Sequence, residues 1–351
     1  MCGIVGYIGD RPAQSILVSG LEKLEYRGYD SAGVATIVEG NLDCIRAKGK
    51  LHNLREKVEL VTNHAPIGIG HTRWATHGKP EEYNAHPHTD TRRRLAVVQN
   101  GIIENYRELR EELKHQGHEF RSETEVIPHL IAQCFAEGAD TLMVAVQRAV
   151  HKLSGAFAIA VVSADYPDEL VLARQQAPLI IGVGEGEYFC ASDTPAIVQY
   201  TQTILPLENG EMARLTRTGV EVYTFAGEKV RRTPHTITWN PIAVEKQGFR
   251  HFMAKEIYEQ PAVVRTCLEA YLDLDWTPGS KQSPCKLNLP ASIYADLEHI
   301  QIVACGTSLH AGMVGKYLLE ELAQIPTAIQ YASEFRYSPP PLMPHTLTIG
   351  I

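Results

Sequence analysis

The second residue of the chain, Cys2, is a candidate nucleophile in a start that reads MCGIVGYIGD. Removal of Met1 by an aminopeptidase would leave Cys2 with a thiol and a free α-amine on one carbon skeleton. The pKa of an α-amine, about 7.7–8.0, lets it accept the thiol proton near neutral pH. The thiolate would then attack a carbonyl carbon and form a thioester. The alternative interpretation is that Cys2 is a small apolar residue that opens a strand.

Four motifs follow Cys2: R-G-Y-D at 27–30, H-T-R-W-A-T-H-G at 71–78, N-A-H-P-H at 84–88 and Q-N-G at 99–101. Together with CGIVG, this ordered set resembles the class II glutamine amidotransferases. Within that class it looks most like the aminotransferases that use fructose 6-phosphate as the ammonia acceptor. The resemblance implies that Cys2 hydrolyses L-glutamine through a thioester, and that the ammonia converts fructose 6-phosphate to glucosamine 6-phosphate in hexosamine synthesis. It also implies an N-terminal-nucleophile hydrolase fold, an αββα layered sandwich, and a homodimer in the full-length family.

The motif at 71–78 supplies the predicted pocket for free glutamine. Arg73 suits the α-carboxylate of glutamine because its planar guanidinium can bind a carboxylate in bidentate fashion. The resemblance assigns Arg73, Thr76 and His77 to this pocket and makes Trp74 its cap. From the residues alone, the alternatives are a surface charge at Arg73, a satisfied loop residue at His77 and an ordinary core residue at Trp74.

Asn100 and Gly101 follow directly after the apolar run LAVVQ. An asparagine amide and a glycine backbone N–H are suitable donors to an oxyanion, and glycine lets the backbone approach a ligand closely. The resemblance places Asn100 and Gly101 in this role and assigns Arg27 to orienting the N-terminus. Without the resemblance, Asn-Gly is a simple turn.

One departure from the family pattern lies in FRSETEVI at 120–127. The family usually has S-E-T-D-T-E-V-I, in which the aspartate binds the α-amine of glutamine. This chain is two residues shorter there and keeps no aspartate. Glu123 stands two residues before Glu125, and we expect it to supply the carboxylate from an arm one methylene longer.

The segment HIQIVACGTS at 299–308 predicts a strand that ends in a tight turn before a helix. Backbone N–H groups there can hold an anion, although a helix N-cap by Thr307 or Ser308 is the commoner cause of the pattern. The segment resembles the sugar isomerase (SIS) domain, which implies that Cys305, Gly306, Thr307 and Ser308 lie near a sugar-phosphate pocket. In that family the phosphate loop and the lysine and histidine that act on the sugar come later than residue 351. We therefore expect truncation, an incomplete fructose 6-phosphate site and retention of the glutaminase half-reaction.

Patterns along the chain predict three regions. Residues 1–230 alternate strand patterns such as GIVGYI with amphipathic helices such as NYRELREELKHQG, which favours an α+β layered domain. Residues 231–290 are predicted to be a linker and a helical lead-in, with a helix interrupted at Pro261. Residues 291–351 predict the start of an α/β domain with a parallel sheet, because strand, helix and strand patterns alternate, and the resemblance implies that this is an incomplete SIS domain.

Composition excludes several classes of protein. The chain has 351 residues, enough for two or three domains, and 33 Lys plus Arg against 41 Asp plus Glu give a net charge of −8, which argues against a general nucleic-acid binder. It has no apolar run of the roughly 18 residues that a membrane-spanning helix needs. Its seven cysteines form no C-x-x-C pair, and its start lacks a secretory signal, so we expect a cytoplasmic protein without disulfide framework or metal. No cofactor is expected either.

Two related enzymes lack support in this sequence. The chain has neither the ATP-binding S-G-G-x-D-S loop of an asparagine synthetase nor the acidic V-x-D-D loop of a phosphoribosyl-pyrophosphate amidotransferase. The remaining alternative is an inactive truncated product that only binds sugar phosphate or pairs with full-length subunits.

We predict that Glu123→Ala raises the KM for glutamine several-fold and changes kcat less, because the lost carboxylate would bind the α-amine of the substrate. Initial rates of glutamate release measure both constants. Glu119→Ala, directly before that segment, is the matched control and should leave KM unchanged. An unchanged KM in Glu123→Ala would show that Glu123 does not replace the aspartate.

Overall fold

The computed structural model describes residues 2–351 except 62, 76–78, 121–124, 238–246, 274, 278–282, 287–289, 291–292 and 294–295. Contacts between Cα atoms divide the chain into two compact units, Met1–Lys255 and Glu256–Ile351. The functional boundaries after residues 230 and 290 stay a prediction.

Two antiparallel sheets form the centre of the first unit. Their strands are β1 (Gly3–Ile8), β2 (Ser31–Val38), β3 (Asn41–Lys48), β4 (Ile67–Arg73), β5 (His88–Thr89), β6 (Leu95–Ile103), β7 (Gly155–Ser163), β8 (Tyr166–Gln175), β9 (Ile180–Val183), β10 (Tyr188–Ala191), β11 (Thr203–Pro206), β12 (Glu211–Thr216), β13 (Gly219–Thr224), β14 (Lys229–Val230) and β15 (His235–Thr236). One sheet has eight strands in the order β15-β11-β9-β10-β1-β4-β2-β3. The other has seven strands in the order β14-β13-β12-β8-β7-β6-β5.

Helices cover the outer faces of both sheets. They are α1 (Ala13–Lys23), α2 (Leu51–Glu59), α3 (Tyr106–His115), α4 (Val126–Ala136) and α5 (Leu142–Lys152). One apolar cluster joins α1 and α2 to the eight-stranded sheet, and another joins α3, α4 and α5 to the seven-stranded sheet. A third cluster lies between the two sheets. This order of layers confirms the predicted αββα sandwich.

Strand β1 shows why its sequence is continuously apolar. Ile4 and Ile8 face the layer between the sheets, whereas Val5 and Tyr7 face α1. Side chains alternate between the faces of a strand, so a strand that is buried on both faces has no position for a polar residue. The run GIVGYI therefore places the strand at the middle of its sheet, with β4 and β10 as neighbours.

The second unit contains a parallel sheet, as predicted. Its strands are β16 (His299–Ala304), β17 (Thr327–Tyr331) and β18 (Thr346–Gly350), and β16 lies in the centre with a parallel neighbour on each side. Helix α7 (Gly306–Leu318) connects β16 to β17, and the short α8 (Ala332–Tyr337) follows β17. Leu309 and Gly312 of α7 are buried.

The expected interruption at Pro261 is absent, because α6 (Phe252–Tyr271) continues through it. Proline removes one hydrogen bond, the one to the carbonyl four residues earlier. Ile257, which carries that carbonyl, is an exposed residue. Water can therefore satisfy the carbonyl, and the helix tolerates the proline.

We predict that Leu172→Ala lowers the free energy of unfolding by about 2–5 kcal/mol, because it leaves a cavity between the two sheets. Leu172 is fully buried in that layer, whereas Leu60, the matched control, is 85% exposed. Leu60→Ala should change stability by less than about 0.5 kcal/mol. Urea unfolding followed by circular dichroism measures both, and equal effects of the two substitutions would contradict the assigned core.

Candidate active site

Cys2 lies directly before β1 and is partly buried. Its Sγ accepts a hydrogen bond from the backbone N–H of Trp74 at 3.2 Å. The pairing of β1 with β4 sets Gly3 opposite Thr72, which brings the two ends of these strands together at the thiol. Cys2 is therefore held against the 71–78 motif, as the amidotransferase hypothesis requires.

Asn100 reaches Cys2 from the other sheet. It lies in β6, and its Nδ2 donates a hydrogen bond to the backbone carbonyl of Cys2 at 3.3 Å. The next residue, Gly101, has φ +95°, and a Cβ there would lie 2.0 Å from the carbonyl oxygen of Ala156. Only glycine fits that position. The pair continues strand β6, so the alternative of a simple Asn-Gly turn is wrong.

Arg73 is buried at the end of β4, with only 4% of its surface exposed, so the alternative of a surface charge is wrong. Burial lowers the pKa of the Arg73 guanidinium, and the nearby charges of Asp30 and Cys2 oppose this shift. A buried cation next to the thiol is well placed to bind a carboxylate that enters the site. Its role toward the α-carboxylate of glutamine stays a prediction.

Asp30 holds the segment that follows Arg73. Its Oδ2 accepts a hydrogen bond from the backbone N–H of Ala75 at 2.5 Å, and its Oδ1 accepts one from the hydroxyl of Ser31 at 3.0 Å. Its own backbone N–H donates to the carbonyl of Arg73 at 2.8 Å. Asp30 belongs to the R-G-Y-D motif, but its residue type and spacing alone predict no such role.

Arg27 and Trp74 lie at the edge of the site. Arg27 donates from Nη1 to the Ser192 hydroxyl at 3.1 Å, and this hydroxyl accepts the backbone N–H of Ile4 at 3.0 Å. Arg27 is thus connected to β1 two residues after Cys2, which suits a group that orients the N-terminus. The Trp74 side chain is 52% exposed, so it is not an ordinary core residue. Three other predicted residues, Thr76, His77 and Glu123, lie outside the described part of the chain.

Three histidines without a predicted role, His71, His86 and His88, are buried close together, and His71 contacts Asn100. The ring centroids of His71 and His86 are 4.4 Å apart, and those of His86 and His88 are 4.3 Å apart. Burial lowers the pKa of His71 to about 4 and places the pKa values of His86 and His88 well below their usual range. All three rings are therefore neutral at pH 7. The three histidines belong to the H-T-R-W and N-A-H-P-H motifs, but only the fold shows that His71 and His86 stack and that His88 contacts His86 at a tilt.

In the second unit, Cys305 lies at the N-cap of α7, with Gly306, Thr307 and Ser308 in the first turn. Cys305 occupies the cap position without a side-chain hydrogen bond, so the alternative of a cap by Thr307 or Ser308 is wrong. Gly306 has φ +58°, and Cys305, Gly306 and Thr307 are exposed. The four residues therefore lie together at the end of β16, and their contact with a sugar phosphate stays a prediction.

Family models match parts of both units of the chain. Residues 71–199 match a glutamine amidotransferase domain, and residues 293–351 match a SIS domain. Residues 71–199 therefore belong to a glutamine amidotransferase domain. The matched range includes Arg73, Trp74, Asn100 and Gly101, although the match does not assign their roles.

Curated relatives extend the similarity over the whole chain. It is 70% identical to a glutamine–fructose-6-phosphate aminotransferase (isomerizing) of Thermosynechococcus vestitus, 61% to that of Synechocystis and 50% to that of Aquifex aeolicus. Each alignment covers 100% of this chain and 57% of the relative. The chain thus spans a little over half the length of the relatives it matches.

Solved structures show the same fold. An allosteric regulatory enzyme of purine biosynthesis matches with a TM-score of 0.57 and 29% identity over 64% of this chain and 49% of its own. A glutamine phosphoribosylpyrophosphate amidotransferase from B. subtilis matches with a TM-score of 0.58 and 22% identity over 93% of this chain and 65% of its own. Because the second match is only 22% identical, it shows similarity in fold and nothing further.

Among the residues that the structure describes, no group of three or more His, Cys, Asp or Glu side chains is arranged to hold a metal ion. Within the same residues, no helix has the length and apolar character needed to cross a membrane.

We predict that the free energy of unfolding falls as the pH is lowered from about 6.5 toward 4. In the folded chain, buried His71 and His129 each have a pKa of about 4 and stay unprotonated in this window. In the unfolded chain, the same histidines have the ordinary pKa of 6.5 and bind protons there. Each such histidine lowers the free energy of unfolding by about 1.4 kcal/mol for each pH unit within the window. Urea unfolding at pH 7 and pH 5 measures the fall.

His129→Gln removes one of these titrating rings and should reduce the difference between the two pH values. Equal or greater stability at pH 5 than at pH 7 in the parent chain would contradict the neutral state of the buried histidines.

Proposed function

We propose that the first unit hydrolyses L-glutamine to glutamate and ammonia, with Cys2 as the nucleophile. The proposal rests on two hydrogen bonds to Cys2 at the edge of the two sheets. The Trp74 backbone N–H donates to its thiol, and the Asn100 amide donates to its backbone carbonyl. Acyl transfer from a substrate amide uses a nucleophile and a hydrogen-bond donor to the oxyanion. Cys2 can supply the nucleophile, and the Asn100 side chain can supply the donor. The similarity to aminotransferases that are named for glutamine supports the same substrate.

Catalysis would begin at the N-terminus. With Met1 removed, the α-amine of Cys2 takes the thiol proton, and the thiolate attacks the side-chain amide carbon of glutamine. The resulting oxyanion accepts hydrogen bonds from the Asn100 amide and the Gly101 N–H. The α-ammonium group then gives its proton to the leaving nitrogen, and ammonia departs as the thioester forms. Water, activated by the α-amine, hydrolyses the thioester to glutamate and restores the thiol.

Substrate binding would rest on charge. The Arg73 guanidinium, buried beside Cys2, pairs with the α-carboxylate of glutamine, and Glu123 pairs with the α-amine. Thr76 and His77 add donors to the same pocket, and Trp74 covers it. Arg27 orients the N-terminus through Ser192, whose hydroxyl is bonded to Ile4.

The acceptor of the ammonia would be fructose 6-phosphate, which the similarity to aminotransferases named for fructose 6-phosphate supports. Cys305, Gly306, Thr307 and Ser308 would then form part of the sugar-phosphate site, and the product would be glucosamine 6-phosphate. We further propose a cytoplasmic protein that pairs with a second copy. The functional domains would be 1–230 and 291–351, joined by 231–290.

A glutaminase assay with a cysteine variant tests the proposal. We expect Cys2→Ala to abolish glutamate release, because no thioester can form, while Cys285→Ala should retain the parent rate. Cys285 is a matched control because it is also a free, partly exposed cysteine. Mass spectrometry must first confirm that the N-terminus of the parent chain is a free Cys2.

Absence of Cys2-dependent glutamate release from a chain with a free Cys2 would overturn the proposal. That result would favour the inactive product that binds sugar phosphate or pairs with another subunit.

A further inference from the structure

The side chain of Asn100 is held at both of its polar atoms. Its Nδ2 donates to the backbone carbonyl of Cys2 at 3.3 Å, and its Oδ1 lies 3.1 Å from Nε2 of His71. An asparagine amide has one accepting and one donating end, and the two ends have nearly the same shape. Which end faces the reacting atoms is therefore decided by the hydrogen bonds that the amide makes.

Nε2 of a neutral His71 can form a hydrogen bond with only one end of that amide at a time. Its ring is completely buried, and its low pKa of about 4 keeps it neutral at pH 7. A neutral imidazole has one N–H donor and one acceptor nitrogen. Because Oδ1 of Asn100 accepts only, the proton of His71 must be on Nε2 in this arrangement. If the amide turned over, its Oδ1 would face the carbonyl oxygen of Cys2, so that two acceptors would meet, and His71 would have to carry its proton on Nδ1 instead.

His86 supports the same arrangement from behind. Its ring stacks on His71 with an interplanar angle of 27°. Its Nδ1 accepts a hydrogen bond from the backbone N–H of Gln99 at 3.2 Å, and Gln99 directly precedes Asn100. The backbone before Asn100 and the ring that contacts its side chain are thus fixed by one histidine.

We propose that His71 is a positioning residue that sets the orientation of the Asn100 amide, so that its NH₂ group faces Cys2 and can donate to the oxyanion of the substrate. This inference rests on the proposed glutamine hydrolysis. Without the His71 donor, Oδ1 of Asn100 would lose its buried partner, and rotation toward the thiol would bring a partial negative charge to the developing oxyanion. The loss would fall on the transition state more than on glutamine binding.

A double-mutant cycle tests whether His71 acts through Asn100. We expect His71→Leu to lower kcat by about tenfold or more, since loss of a whole oxyanion donor costs on the order of 10²–10³ in kcat. In an Asn100→Ala background, His71→Leu should lower kcat less than about twofold, because the group that it positions is absent. KM for glutamine should change little, and His71→Gln, which restores an N–H donor near the Nε2 position, should recover part of the lost kcat.

Iodoacetamide separates this role from a general disturbance of the site. The Cys2 thiolate displaces iodide from this reagent without forming an oxyanion, so His71→Leu should be alkylated at Cys2 at nearly the parent rate. His129→Leu is the matched control, because His129 is a buried histidine whose hydrogen-bond partners are Thr91 and His118. Circular dichroism should show that all variants are folded at the assay temperature.

Several results would overturn the inference. They are an unchanged kcat in His71→Leu, an equal loss in the presence and absence of Asn100, or an equal loss of kcat in His129→Leu. If His71→Leu does not fold, His71→Gln carries the test, and a kcat lost equally with and without the Asn100 side chain would again contradict positioning. Failure of the parent chain to release glutamate through Cys2 would instead refute the proposed function, so the two failures are distinguishable.

Discussion

A hydrogen bond between the two sheets, from the Asn100 amide to the Cys2 carbonyl at 3.3 Å, is the contact on which the candidate site depends. Cys2 precedes the central strand of one sheet, and Asn100 lies in a strand of the other. The proposed nucleophile and the proposed oxyanion donor therefore come together only when the sheets pack. Burial of the apolar layer between the sheets drives that packing. The layer that stabilises the fold also sets the distance between the reacting groups.

Two hydrogen bonds offset part of the cost of burying polar groups at this edge. His71 bonds to Asn100, and His86 accepts from the backbone N–H of Gln99. The close approach of the histidine segment needs glycine on the neighbouring strand, because a Cβ at Gly33 would lie 2.3 Å from the carbonyl oxygen of His86. The site is thus built into the packing and does not depend on an exposed loop alone.

The sequence allowed the main elements to be predicted where one physical signal dominated. The run GIVGYI is apolar at every position, and only a strand buried on both faces requires this. The helix at Pro261 shows the limit of such signals, because tolerance of proline depends on whether water reaches the freed carbonyl. That exposure is a property of the folded chain.

The candidate site was likewise predictable only where the residue types themselves indicate the chemistry. Cys2, Arg73 and Asn100 belong to motifs whose residue types suit the chemistry, and the structure brings them together. Asp30 and His71 act through contacts with residues that are 29 to 45 positions away, so their partners are visible only in the fold. The shortened segment around Glu123 lies outside the described residues, and its role rests on the sequence.

Detection of the acyl-enzyme would decide whether Cys2 is the nucleophile. Parent protein mixed with glutamine and quenched in acid within the first turnovers should carry a glutamyl group on Cys2, identified by mass spectrometry of the N-terminal peptide. Cys2→Ala should carry none. Steady release of glutamate by the parent chain with no acyl group on Cys2 at any quench time, or with the group on another residue, would contradict the account.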